Sequence, residues 1–219
     1  MMDFGLTGQI VWVVGPASSV ISEVAGAFLE EGAVVRVVTT QGYGRAADKR
    51  LQLRSGRDLR VLTLEPDLGP LSPTLLPRLT DMGPPQVVIL HRAASARGDP
   101  STHEWDEFLR SRSAEMREGG AVIVLASHDL LDDGDDELED LIRSARIQHQ
   151  TWSGLTPRHC AVSVVAIRPE VVTAICRRSV RQRSAPERAQ GLAALMVFMA
   201  SLGRGQTAVV ANDGSAHLV

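Results

Sequence analysis

Seven short runs of β-branched and apolar residues punctuate the chain: 9–14 (QIVWVV), 33–38 (AVVRVV), 60–64 (RVLTL), 86–90 (QVVIL), 121–126 (AVIVLA), 161–167 (AVSVVAI) and 206–210 (QTAVV). They are almost continuously apolar rather than alternating. That is the signature of strands buried on both faces, as in a parallel sheet covered by helices. Between several of them the period changes to that of a helix. In 19–30, Val20, Val24, Ala27 and Phe28 fall on one helical face. Ser18 or Ser19 is placed to cap its start, and Gly32 to stop its end. Residues 103–118, 135–152 and 186–202 read as further helices, the last with Leu192, Leu195, Met196 and Met199 on one stripe. The stretches 66–85 and 177–186 are broken by prolines and polar residues and read as surface loops.

Strand, helix and strand in alternation predict an α/β fold. The expected architecture is a single Rossmann-like, doubly wound parallel sheet of about seven strands, with helices on both faces. No internal repeat or linker divides the chain, so residues 1–219 are read as one domain.

Composition narrows the possibilities. Apolar residues make up 44%, enough for a large core, and the net charge of -3 predicts no general attraction to nucleic acid or anionic membrane. Cys160 and Cys176 are too few for a disulfide framework or a metal cluster. The N-terminus lacks the pattern of a signal peptide, and no apolar run approaches bilayer length, so a soluble, cytoplasmic protein is expected. Lys49 is the only lysine and Tyr43 the only tyrosine.

The pieces also match a known order. The segment 8–38 runs strand, glycine turn, helix, strand. "EPDL" (65–68) follows the third strand, and "VVILHRAAS" (87–95) spans the fourth. "GGAVIVLAS" (119–127) ends on a serine, and "GRGQTAVVANDGSAHLV" (203–219) closes the chain. In this order they resemble the short-chain dehydrogenases/reductases over nearly the whole length. The resemblance implies a cofactor turn at Gly15 and Ser19, nucleotide contacts at Thr39, Arg45, Asp67 and His91, and a catalytic serine at Ser127. Arg45 points to NADP(H) if any cofactor binds.

The chemical positions depart from the family pattern. Ser19 and Ile21 stand where the resemblance calls for the second and third glycines, and Pro16 supplies no backbone donor. His91 and Arg92 replace two asparagines. The tyrosine and lysine that should follow Ser127 are missing from "DDGDDELEDLIRSA" (132–145), where Glu137 or Asp140 and Leu141 or Ser144 stand instead. A carboxylate without a cation beside it is ionised at neutral pH and cannot donate a proton as a phenol does. The family's further asparagine corresponds to Arg112 or is absent. The chain is also shorter than the family pattern, in the regions of 105–120 and 169–186.

The acidic run Asp132–Asp140 does not follow a calcium-loop spacing and reads as a solvated helix start. The six histidines form no zinc pair, so no metal is expected. His128 beside Ser127 would face the other way on a strand, against a hydrolytic pair. Two readings follow. One is a non-catalytic subunit with no cofactor that stabilises an active dehydrogenase homologue in a hetero-oligomer, or pairs with itself as a homodimer or tetramer. The other is an atypical NADP(H)-dependent oxidoreductase acting on a carbonyl or hydroxyacyl substrate through Ser127.

Overall fold

The structure is a computed structural model. It describes residues 5–16, 19–40, 58–64, 76–92, 100–116, 118–127, 137–167, 195–197, 199–200, 205, 207–210 and 216–218. In chain order the elements are β1 (Ile10–Pro16), α1 (Ser19–Glu30), β2 (Val34–Thr40), β3 (Leu59–Leu64), α2 (Leu76–Thr80) and β4 (Val87–Arg92). There follow α3 (Pro100–Ser113), β5 (Ala121–Ser127), α4 (Glu137–Leu155), β6 (Ala161–Ile167), β7 (Thr207–Val210) and β8 (Ala216–Leu218). Residues 195–197 and 199–200 are also helical.

All eight strands form one sheet in the order β3-β2-β1-β4-β5-β6-β7-β8. The first seven are parallel, and β8 pairs antiparallel to β7. This is the doubly wound order, with the chain reversing direction across the sheet between β1 and β4. The expected seven parallel strands are all present. The eighth lies in the short "SAHLV" end, whose three-residue pairing has too little pattern to read in advance.

Side chains alternate across each strand and build two cores. Val11, Val13, Val35, Val37 and Ile89 pack under Val20, Ile21, Val24 and Phe28 of α1 and under Met196 and Met199. Trp12, Val14, Val38, Val88 and Val124 pack on the other face, under Leu79 and Met82, Phe108 and Leu109 of α3, and Trp152 of α4. The Trp12 and Phe108 rings stack with centroids 6.2 Å apart and planes 25° apart. Each such side chain contributes roughly 1.5–3 kcal/mol through its burial.

Helix α1 keeps its expected bounds. It ends where Gly32 takes a positive φ of 78° and the amides of Gly32 and Ala33 fold back onto the carbonyls of Leu29 and Phe28. The reading of 66–85 as a surface loop needs correction. Helix α2 forms within it, and Leu79 and Met82 are buried. The surrounding prolines masked a single amphipathic turn. Helix α3 starts at Pro100, earlier than expected, as suits a residue that needs no amide partner in a first turn.

Candidate functional site

The carboxyl ends of β2, β1 and β4 lie side by side at the reversal point, where doubly wound sheets bind ligands. Gly15 is in register with Thr39 of β2, and Val14 with Leu90 of β4. The next step along β4 is therefore His91, beside Gly15. Alternation along each strand turns Thr39 and His91 to the face covered by α1, the face of Val37 and Ile89. Three of the sequence-predicted positions, Gly15, Thr39 and His91, thus form one row.

The row is tightly packed. Gly15 has φ +147°, and a Cβ built on it would lie 2.6 Å from the His91 carbonyl oxygen and 2.9 Å from His91 Cβ. The missing side chain is what lets β4 approach β1 at this level. Thr39 is completely buried and His91 is 3% exposed. The Thr39 hydroxyl and both His91 ring nitrogens have no hydrogen-bond partner. Burial pushes the His91 imidazole down to about 4, so it is neutral at pH 7, with one donor and one acceptor nitrogen. A buried polar atom without a partner costs about 1–3 kcal/mol. Such clusters stand out from a satisfied core.

The remaining predicted positions are less informative. Ser19 opens α1 and Ser127 ends β5 opposite Ile167; their side chains lie outside the described residues, as do Arg45, Asp67 and His128. Ile21 is 1% exposed and belongs to the core between α1 and the sheet. Its bulk is therefore spent on helix–sheet packing, the role a third glycine serves by closeness. Helix α4 follows Ser127 through Glu137 and holds neither tyrosine nor lysine along Glu137–Leu155. Tyr43 and Lys49 fall between β2 and β3, outside the described residues. Arg112 of α3 is buried and donates to Glu115 at 2.9 Å, an i,i+3 pair within its own neighbourhood. Among the described residues no three histidine, cysteine or carboxylate side chains gather as a metal site.

These observations bear on a dinucleotide. Gly15 packs closely against His91, Ile21 lies in the core, and Pro16 has no amide hydrogen to offer. Sequence reading named His91 as a nucleotide contact. It missed a second group of unpartnered nitrogens, Trp12 Nε1 and Arg36 Nε, on the opposite face. The signal was Arg36 itself, the lone charge in strand β2.

No protein-family model matches the chain, and no curated protein matches it in sequence. Solved structures do match. The Cj0485 dehydrogenase superposes with a TM-score of 0.62 at 10% identity, over 95% of each chain. A short-chain dehydrogenase/reductase from Serratia marcescens gives 0.57 at 14% identity, over 93% of this chain and 97% of that one. A carbonyl reductase from Pseudomonas aeruginosa, solved in complex with NADP, gives 0.59 at 18% identity, over 93% and 96%. The chain has the fold of the short-chain dehydrogenases/reductases.

Proposed function

We propose that this chain is a non-catalytic member of the short-chain dehydrogenase/reductase group that assembles with an active homologue and stabilises it. One observation carries the reading: α4, the helix after Ser127, contains no tyrosine and no lysine. In the family pattern the proton donor to the carbonyl is a tyrosine whose pKa a neighbouring lysine lowers. The buried neutral imidazole of His91 supplies no such cation. The burial of Ile21 in the core and the missing amide hydrogen of Pro16, at positions where the family pattern opens a phosphate turn, support the same reading.

Titration of the purified chain with NADPH and NADH, followed by nucleotide fluorescence, tests the first half. No saturable micromolar binding is expected. Native mass spectrometry after co-purification tests the second half, with a hetero-oligomer containing an intact dehydrogenase expected. A stable lone monomer contradicts it. The second reading, an NADP(H)-dependent oxidoreductase using Ser127, draws on the fold shared with the NADP-bound carbonyl reductase. Micromolar NADPH affinity together with turnover of a carbonyl substrate would establish it.

A further inference from the structure

The face of the sheet opposite α1 carries a row of a different kind. Trp12 of β1 is in register with Arg36 of β2, and Arg36 with Arg60 of β3. Register partners in a parallel sheet share a face, with strands about 4.8 Å apart. Three side chains that only donate hydrogen bonds therefore stand next to one another. Trp12 is 1% exposed and Arg36 is 8% exposed, while Arg60 is exposed on β3, the edge strand.

Two of the donor nitrogens lack acceptors. Trp12 Nε1 and Arg36 Nε are buried without a hydrogen-bond partner. Arg36 Nη1 is fixed by backbone carbonyls alone, Val35 O at 3.0 Å and Asp58 O at 3.4 Å. Those contacts hold the guanidinium in place through neutral carbonyls. The Arg36 guanidinium is held below its usual pKa, first by burial and then by Arg60, with the Asp58 carboxylate opposing them least. A buried cation beside a second cation is costly unless an anion joins them.

We propose that Trp12, Arg36 and Arg60 form a binding site for an oxyanion, a phosphate or carboxylate group of a small molecule. The oxyanion enters from the edge strand past Arg60. It accepts from the indole and guanidinium Nε–H groups, which otherwise stay unpaired. Guanidinium and oxyanion match in geometry and charge. The site lies on the face away from the Gly15–His91 row, so it does not depend on the fate of a dinucleotide seat.

The test is titration of the full chain with sodium phosphate and, separately, sodium acetate, reading the indole ¹H–¹⁵N resonances. Trp12 is one of three tryptophans, and Trp12→Phe assigns its signal. Expected is a saturable shift of the Trp12 indole with at least one of the two anions, the responding anion naming the source. Arg36→Met should abolish the shift, and the exposed change Arg60→Ala should raise the apparent Kd several-fold. In anion-free buffer Arg36→Met should melt higher than the wild type, because it removes a buried cation with an unpartnered Nε; saturating anion should narrow or reverse that order. An unmoved Trp12 indole with both anions, or binding unchanged in both arginine variants, overturns the proposal.

Discussion

Replacing Gly15 by alanine tests whether this glycine serves the sheet or a ligand. The added Cβ would sit 2.6 Å from the His91 carbonyl oxygen and 2.9 Å from His91 Cβ, at a φ of +147°. Two costs add. The backbone conformation disfavours any side chain by about 1–3 kcal/mol. The clash is with backbone and a Cβ, which cannot rotate away, so β1 and β4 must part at their ends; overpacking of this kind costs about 1–3 kcal/mol. The sum, roughly 2–6 kcal/mol, is a large part of the 5–15 kcal/mol that holds a typical domain. Gly119 is the control: its φ is +82°, and a Cβ added there would meet nothing within 4 Å. Its alanine variant should lose only the conformational share, about 1–2 kcal/mol. Urea denaturation followed by far-ultraviolet circular dichroism gives both numbers. Adding His91→Ala should not rescue Gly15→Ala, since alanine keeps the carbonyl and the Cβ. Equal losses at Gly15 and Gly119, or full rescue by His91→Ala, would refute the packing argument.

Other outcomes follow from the same row. His91→Leu should raise stability by about 1–3 kcal/mol at pH 7, because it removes two unpartnered buried nitrogens and keeps the volume; urea midpoints check it. Thr39→Val, nearly isosteric, should gain about 1 kcal/mol by the same measurement. The wild type should weaken in acid: the His91 value of about 4 lies below the ordinary 6.5, so the unfolded chain binds the extra proton first. Stability from this group is full above pH 6.5 and declines as pH falls towards 4, by on the order of 3 kcal/mol. The decline should be absent from His91→Leu in parallel denaturation series; an identical decline in both proteins would place its origin elsewhere.

How far the sequence reveals these features depends on how local their causes are. Helix α1 was legible to its ends because an apolar stripe and Gly32 act within the segment. The seven parallel strands were legible because burial on both faces leaves unbroken apolar runs. Strand β8 and helix α2 were not, since three and five residues carry too little period and owe their structure to neighbours. The site divides in the same way. Gly15 was found, but its contact with His91 follows from the register of β1 against β4, which no single segment encodes. The row Trp12, Arg36 and Arg60 needs two registers at once, although an arginine amid the valines of β2 already marked the place.

The two rows differ in a way that separates ligand classes. On the α1 face the unpartnered atoms are a hydroxyl and a neutral imidazole, which both donate and accept and carry no charge. On the other face they are an indole and a guanidinium, which only donate, and one is a cation. A negatively charged group gains more from the second row than from the first, because a charge-assisted hydrogen bond is roughly twice as strong as a neutral one. Salt should therefore act on the two differently. Anion binding at Arg36 and Arg60 weakens as ionic strength screens the exposed Arg60, whereas the stability changes at His91 and Thr39, buried and uncharged at pH 7, do not move with salt.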